Sequence, residues 1–249
     1  MRLALISDIH ANLPALDAVL DDIAARGDVN GIYQLGDLVG YAPWPNEVVA
    51  RVRDAGIRGI AGNYDSTVAH EAPHCGCRYE DPAQEAQSHH SYAWTLEHIT
   101  LESQAWLAAL PFRLDIRPLG GHLAGTTITL LHGNHVLNTV YVHADRTDEF
   151  LAKMGESVGA RAGDAVCVGH THKPWYRVVN GVHYVNTGSV GRPKDGDPRA
   201  GYALMTVTSD GIAVEIVRVP YDVERAAKAI EASTLPHEFA NYLRTGGNP

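Results

Sequence analysis

The chain has 249 residues, of which 45% are hydrophobic and 20% charged, and these values exclude a disordered, collagenous or coiled-coil protein. The formal charge of −9 argues against extended nucleic-acid binding, because the chain as a whole repels phosphate. Since no repeat or linker divides the sequence, we expect a single domain over residues 1–249.

The first sixty residues alternate between strand and helix patterns. The apolar run from Leu3 to Ser7 predicts a strand, and apolar residues recur at helical spacing from Leu13 to Ile23, after a start signal at Asn12. The next predicted elements are a strand, a helix and a strand, over Gly31 to Leu35, Asn46 to Ala55 and Ile57 to Ala61. This alternation predicts βαβ units and a mostly parallel sheet.

The middle of the chain is less regular. From Ser66 to Ser91 the periodic pattern is lost, which predicts an exposed loop or a cap over the strand ends. Helices are predicted over Tyr92 to Ile99 and Glu102 to Leu110, with Trp94 and Trp106 as core anchors. We therefore expect a cap-like insertion over about residues 66–110.

The second half is dominated by strand patterns. Seven short runs predict strands, over Phe112 to Ile116, Thr126 to Leu131, Ala165 to Val168, Trp175 to Val179, Val182 to Val185, Tyr202 to Val207 and Ala213 to Val219. Asn180 and Gly181 are typical of a two-residue hairpin turn, and Thr147 to Val158 and Val223 to Ala232 predict helices before a polar tail from Thr245. The pattern favours an α/β protein with α+β layering, in which helices cover a β-sandwich.

Five of the predicted strands end in polar residues of the types that bind metals. The segments are Asp8-Ile9-His10, Gly36-Asp37, Gly62-Asn63-Tyr64-Asp65, His132-Gly133 and Gly169-His170-Thr171-His172. Side chains just past the carboxyl ends of strands point into the crevice where α/β proteins bind ligands. Each segment alone is compatible with an ordinary turn, but their joint occurrence predicts a metal site.

These segments, in this order over roughly residues 1–220, resemble the calcineurin-like metallophosphoesterases. Residues 186–193 are similar to the N-P-G-S-V-G-x-P segment of the small bacterial and archaeal predicted phosphodiesterases of that family, with Thr187 in place of the usual proline. The resemblance implies a four-layer α/β/β/α sandwich of the metallo-dependent phosphatase type.

The resemblance also implies a site for two divalent metal ions. One ion would be held by Asp8, His10, Asp37 and His172, and the other by Asp37, Asn63, His132 and His170. The mixed oxygen and nitrogen donors suit Mn²⁺, Fe, Ni²⁺ or Zn²⁺, with Mn²⁺ as our first expectation. The implied reaction is hydrolysis of a small phosphodiester or phosphomonoester by a hydroxide that bridges the two ions, and a phosphodiesterase is favoured.

Four other functions are compatible with this resemblance. Three are enzymes, namely a nucleotide or dinucleoside polyphosphate hydrolase, a serine/threonine protein phosphatase and a nuclease, although the net charge of −9 argues against a processive nuclease. The fourth is a non-catalytic metal-binding scaffold for other proteins, which loss of ligands would indicate. All seven ligand positions are filled, and this favours an enzyme.

Asn63 and Tyr64 are the residues that we expect to take part in catalysis besides the other ligands. The family often carries, after the asparagine, a histidine that protonates the leaving oxygen, and Tyr64 stands at that position. A phenol with a pKa near 10 is a weaker acid than imidazole, so we expect poor turnover of esters with basic alkoxide leaving groups.

Several other polar residues have two interpretations each. Arg192 and Lys194 are candidate contacts of a substrate phosphate or solvated loop charges, and His135 and His143 are candidate proton donors or ordinary loop histidines. A second cluster is a weak candidate for zinc, because it lacks a paired C-x₂-C, or else part of a loop that shapes substrate access. Its members are His70, His74, Cys75, Cys77, His89 and His90.

Cysteine usage and the N-terminus bear on where the protein works. The three cysteines provide no disulfide framework, and the first apolar run reaches Asp8 too early for a signal peptide. We therefore expect a cytoplasmic protein with a small phosphoester substrate and no membrane partner. A homo-oligomer is compatible with the sequence, because small enzymes often form symmetric dimers.

Overall fold

A computed structural model describes residues 1–79, 81–117 and 125–247. Within those ranges the chain forms ten strands and eight helices. The strands are β1 (Arg2–Ile6), β2 (Gly31–Gln34), β3 (Arg58–Gly59), β4 (Arg113–Ile116), β5 (Ile128–Leu131), β6 (Ala165–Val168), β7 (Trp175–Val179), β8 (Val182–Asn186), β9 (Ala200–Thr208) and β10 (Gly211–Val219). The helices are α1 (Leu13–Arg26), α2 (Pro45–Asp54), α3 (Asn63–Ala69), α4 (Pro82–His98), α5 (Leu101–Ala108), α6 (Asp148–Val158), α7 (Val223–Glu231) and α8 (Glu238–Thr245).

The strands form two five-stranded sheets, in the orders β10-β9-β1-β2-β3 and β4-β5-β6-β8-β7. In the first sheet β1, β2 and β3 are parallel, whereas β9 runs antiparallel to both β1 and β10. In the second, β5, β6 and β8 are parallel and the edge strands β4 and β7 are antiparallel. Both sheets are therefore mixed, because the two-residue turns that join β7 to β8 and β9 to β10 can connect only antiparallel strands.

Successive side chains of β1 point to opposite faces of the first sheet, and this alternation shows how the layers form. Leu3 and Leu5 belong to a core that contains residues of both sheets, whereas Ala4 and Ile6 belong to the core between the first sheet and its helices. A third core packs α6 against the outer face of the second sheet. The order of layers is helix, sheet, sheet, helix, which confirms the predicted four-layer α/β/β/α sandwich.

Most predicted elements form close to their expected bounds. The side chain of Asn12 caps α1 by accepting a hydrogen bond from the Ala15 amide, and Asn180 and Gly181 turn between β7 and β8 with positive φ angles of 52° and 77°. The largest difference lies in the segment predicted as irregular. It contains the end of α3 and the first half of α4, and only residues 70–79 and 81 of its described part connect these two helices.

Two further expectations about the middle and the end of the chain need correction. Trp94 is buried as predicted, but Trp106 is only half-buried, and the neighbouring Leu107 takes the interior position in α5. The chain also forms α8 after α7, where no helix was predicted. Among the described residues, no helix is long and apolar enough to cross a membrane.

Candidate metal centre

The five strand-end segments meet at one edge of the two sheets. Asp8 and His10 follow β1, Asp37 follows β2, and Asn63 begins α3 just after β3. His132 follows β5, and His170 and His172 follow β6. All seven side chains are buried, with at most 3% of any of these residues exposed. The fold therefore brings together every residue that the sequence predicts as a metal ligand.

Six of these side chains form two groups. In each group, the three candidate ligand atoms lie within 4.8 Å of one another, and the groups are Asp8, His10 and His172, and Asp37, His132 and His170. The Oδ2 atom of Asp37 is 3.3 Å from Nε2 of His132 and 3.8 Å from Nε2 of His10. Asp37 therefore lies between the two groups.

Asn63 joins the second group through its side-chain oxygen. Its Oδ1 atom lies 3.2 Å from Nε2 of His132, while its Nδ2 donates hydrogen bonds to the carbonyl of Cys75 at 3.0 Å and to Sγ of Cys77 at 3.2 Å. These two bonds fix the orientation of the amide. The oxygen is thus held toward the centre and the nitrogen away from it.

Backbone carbonyls orient three of the histidines. In each of them Nδ1 donates to a carbonyl oxygen, with His10 bonded to Val39 at 3.0 Å, His132 to Leu35 at 2.7 Å and His172 to Arg192 at 2.5 Å. In a neutral imidazole, a proton on Nδ1 leaves a lone pair on Nε2. Every one of these Nε2 atoms faces the centre, which is the usual arrangement of a metal-binding imidazole.

Several polar atoms of the centre lack the hydrogen-bond partner that a buried polar atom normally has. Oδ1 of Asp8 and Nε2 of His170 make no hydrogen bond to the described part of the chain. Nε2 of His10 and Nε2 of His172 are 3.1 Å apart, and both carry lone pairs because their Nδ1 atoms are donors. Unpaired buried acceptors cost about 1–3 kcal/mol each. Metal cations would satisfy these acceptors, and hard carboxylate with borderline imidazole donors suits divalent ions.

The protonation states also fit metal binding. Burial, followed by the neighbouring His172, lowers the pKa of His10 to about 3, and burial lowers the pKa values of His170 and His172 well below the usual value. Burial acts in the same direction on His132, but the carboxylates of Asp37 and Asp8 and the hydrogen bond to the Leu35 carbonyl together outweigh it and raise the pKa of His132 to about 9. Three of the four histidines are thus neutral, the form that binds a metal, and the fourth must release its proton to do so.

The backbone is strained at five of the seven candidate ligands. Their φ angles are positive, at 52° for Asp8, 49° for His10, 56° for Asp37, 65° for His170 and 59° for His172. Such angles are uncommon in residues other than glycine and cost about 1–3 kcal/mol each. A fold retains such strain where the surrounding structure imposes it, and clusters of it are typical of functional sites.

Gly169 permits the close approach of β6 to β1. A Cβ atom at this position would lie 2.2 Å from Oγ of Ser7 and 2.7 Å from Oδ2 of Asp8. We expect Gly169→Ala to displace Asp8, to destabilise the fold by about 1–3 kcal/mol and to lower the metal content. Thermal unfolding and elemental analysis would measure both effects. Gly201→Ala is the matched control, because the nearest atoms to its Cβ would lie at 3.4 Å, and an equal loss in both variants would contradict the prediction.

Tyr64 lies beside the centre, but its hydroxyl is engaged elsewhere. The hydroxyl bonds with the carbonyl oxygen of Ser88 at 3.3 Å and with Oγ of Ser88 at 3.2 Å. Burial, followed by the neighbouring Tyr41, raises the pKa of Tyr64 well above the usual value of a phenol. Tyr64 therefore holds its proton firmly.

Arg192 and Lys194 are half-buried next to the centre. The backbone oxygen of Arg192 accepts the hydrogen bond from His172, and Lys194 lines the centre together with Asp37 and His170. Burial, followed by the charge of Arg192, lowers the pKa of Lys194 to about 8. Both residues therefore lie next to the centre and are only partly exposed to solvent.

Most of the other histidine and cysteine candidates lie away from the metal centre. His143 is exposed and stacks on Tyr141, whose ring stacks in turn on His170 at 4.2 Å between centroids. His135 is half-buried and does not line the centre. Within the described ranges, the second cluster of histidines and cysteines forms no third group of metal ligands. Its Cys77 lines the centre and holds Asn63, a role that the sequence did not predict.

Comparison with known proteins identifies the family to which this chain belongs. The family model described as calcineurin-like phosphoesterase superfamily domain matches residues 1–210. An uncharacterized protein of Methanocaldococcus jannaschii is 31% identical, over 98% of each chain. The chain therefore belongs to the calcineurin-like phosphoesterase superfamily.

Solved structures agree with this assignment. A metallophosphoesterase from Sphaerobacter thermophilus is 29% identical, covers 99% of both chains and superposes with a TM-score of 0.72. A hypothetical protein from Pyrococcus horikoshii, 24% identical, has the same fold, with a TM-score of 0.83 over 100% of this chain and 99% of the other. Family membership and the two groups of ligands together support a metal-dependent phosphoesterase.

Proposed function

We propose that the centre binds two divalent metal ions and hydrolyses a small phosphodiester or phosphomonoester. One ion is assigned to Asp8, His10, Asp37 and His172, and the other to Asp37, Asn63, His132 and His170. The observation that carries this proposal is the pair of ligand groups with Asp37 between them. When bound, such a pair of ions activates a water as the nucleophile and neutralises charge on the phosphoryl oxygens.

The protein's own residues then have distinct tasks. Oδ1 of Asp37 accepts a hydrogen bond from the Tyr64 amide at 2.9 Å, which leaves Oδ2 for the ions. Oδ2 of Asp8 accepts from Ser7 Oγ at 2.7 Å and from the His170 amide at 3.0 Å, which leaves Oδ1 for the ions. Arg192 and Lys194 supply positive charge for the substrate phosphate. The segment from residue 66 to 110 acts as a cap, since Cys77 and Tyr79 line the centre.

We further propose that diesters are preferred over monoesters, and that Mn²⁺ is the working metal. A diester with an acidic leaving group needs little proton donation, and the hydroxyl of Tyr64 is bonded to Ser88 and firmly protonated. The carboxylate, amide and imidazole donors suit Mn²⁺, and Zn²⁺, Ni²⁺ and Fe are compatible with them.

The direct test is turnover under controlled metal loading. The protein is stripped of metal, and hydrolysis of bis-p-nitrophenyl phosphate and p-nitrophenyl phosphate is followed while Mn²⁺, Ni²⁺, Zn²⁺ or Mg²⁺ is added. We expect metal-dependent turnover that is faster for the diester. Absence of turnover with every ion, in protein shown by elemental analysis to be loaded, would contradict the proposal and favour a scaffold.

A series of leaving groups tests the role of Tyr64. We expect aryl phosphodiesters to be hydrolysed more than about 10²-fold faster than methyl or ethyl ones, because general acid catalysis is worth about 10²–10⁴-fold when it is present. Tyr64→His should raise the rate on alkyl esters. Tyr64→Phe is the matched variant, since it removes the hydroxyl without adding an imidazole. Equal rates on alkyl esters in the two variants would count against the prediction.

A further inference from the structure

A cavity of about 210 Å³ opens beside the metal centre. We call it the side cavity, and its polar lining includes Tyr79, Gln87, Lys173, Arg192, Lys194 and Tyr242. Tyr79 and Lys194 line both the side cavity and the metal centre, so the two spaces are neighbours. A substrate phosphate at the centre would therefore have part of the same molecule within reach of the side cavity.

Three cations line the side cavity, and none of them forms an ion pair in the described part of the chain. Within residues 1–79, 81–117 and 125–247, the side chains of Lys173, Arg192 and Lys194 form no ion pair and donate no hydrogen bond. Asp8 and Asp37 attract Lys194 from the metal centre, but the proposed ions would take up that charge. Like charges that converge on a small space repel one another, and an anion in that space relieves the repulsion.

Arg192 is held in place by aromatic rings. Its guanidinium carbon lies 4.0 Å from the ring centroid of Tyr41, 5.2 Å from that of Phe239 and 5.6 Å from that of Tyr242. These distances are those of cation–π contacts. The backbone of Arg192 is also fixed, because its amide donates to Ser189 Oγ at 2.8 Å and its carbonyl accepts from His172. The guanidinium is thus a rigid fork, suited to a planar or tetrahedral oxyanion.

The side cavity is smaller than the range of about 300–1,000 Å³ that is typical of sites for whole drug-sized ligands. It therefore accommodates one group of a substrate rather than the entire molecule. We propose that this group is a second phosphate, so that the enzyme prefers substrates carrying two phosphate groups. This inference rests on the proposed function, because the first phosphate must occupy the metal centre.

Equilibrium binding tests the proposal independently of turnover. Calorimetry on the Mn²⁺-loaded protein would measure the affinities of two pairs of probes. The first pair is thymidine 3′,5′-bisphosphate and thymidine 5′-monophosphate. The second is pyrophosphate and phosphate, in which the two phosphate groups of the larger probe lie closer together. We expect at least one probe with two phosphate groups to bind about tenfold or more tightly than its partner with one. This gain corresponds to one charge-assisted contact. Equal affinities within both pairs would overturn the proposal.

Variants identify where the second phosphate binds. Lys194→Met and Arg192→Met remove charge while keeping most of the side-chain volume, and each should reduce the affinity ratio within a pair toward one. Lys153→Met is the matched control, because Lys153 lies on α6 with its side chain 72% exposed and pairs with Glu149. A ratio that persists in both test variants would also overturn the proposal. Turnover of bis-p-nitrophenyl phosphate, which lacks a second phosphate, reports on the proposed function separately.

Discussion

Asp37→Asn is expected to reduce phosphoester turnover by about 10³-fold or more and to leave fewer than two ions per chain. Asparagine keeps the volume, but its oxygen is drawn to the position of Oδ1, which accepts from the Tyr64 amide. The amide nitrogen then replaces Oδ2, the atom between the two ligand groups. Losing a carboxylate shared by two ions costs several kcal/mol, and each 1.36 kcal/mol is tenfold in rate.

Steady-state kinetics and elemental analysis of the same preparation would measure both effects of Asp37→Asn. Asp164→Asn is the matched control. Asp164 is also buried and accepts backbone hydrogen bonds from Thr127 and Arg161, but it lies outside the metal centre. Its replacement should lower stability and leave two ions bound. An Asp37→Asn variant that keeps two ions and near wild-type turnover would show that Asp37 is not the shared ligand.

Asp8→Asn is expected to have the second largest effect, a loss of about 10²-fold in turnover together with about 1–3 kcal/mol of stability. Oδ2 of Asp8 accepts two hydrogen bonds, from Ser7 and the His170 amide, while Oδ1 lies 3.3 Å from Nε2 of His172. Asparagine has only one oxygen. Its nitrogen therefore either faces the His170 amide, donor against donor, or occupies the ligand position.

Ser7→Ala separates the two possible consequences of changing Asp8. It removes one hydrogen bond to Oδ2 but leaves the carboxylate, so it should cost about 1 kcal/mol of stability and much less turnover than Asp8→Asn. Thermal unfolding and kinetics on both variants would give the comparison. Equal losses of turnover would mean that Asp8 acts only by supporting the fold.

The sequence predicts the strand ends well because two signals coincide there. Each apolar run that forms β1, β2, β5 or β6 is followed directly by polar residues of ligand type. Parallel strands end at the same edge of a sheet, which places the residues after β1 and β2 together and those after β5 and β6 together. Packing of the two sheets then joins the two sets. The sequence predicts the antiparallel β7–β8 hairpin from Asn180 and Gly181, but no local signal shows that β9 runs antiparallel to β1, because these two strands lie far apart in the chain.

The first half of α4 and the whole of α8 were missed, and both have a physical reason in their composition. The buried face of α4 includes the small polar residues Ser88, Ser91 and Thr95, which a hydrophobic pattern does not reveal. A start signal was present, since Asp81 precedes Pro82 and its side chain caps the helix at Ala83. In α8, no side chain caps the first turn, so only Phe239, Ala240 and Leu243 mark it.

Within the site, the sequence predicts which residues are ligands, but it does not predict the contacts that orient the side chains of the site. The bonds from Asn63 to Cys75 and Cys77 join α3 to the irregular segment, and the aromatic surroundings of Arg192 draw on α8. These contacts connect residues far apart in the chain that belong to no common motif. Tertiary packing alone determines them, so a single sequence carries no signal for them.

The most direct test of the account is anomalous diffraction from crystals of the protein equilibrated with Mn²⁺. We predict two peaks about 3.5–4 Å apart, one among Asp8, His10 and His172 and one among Asp37, His132 and His170. A single peak, or peaks outside these two groups, would contradict the two-ion centre.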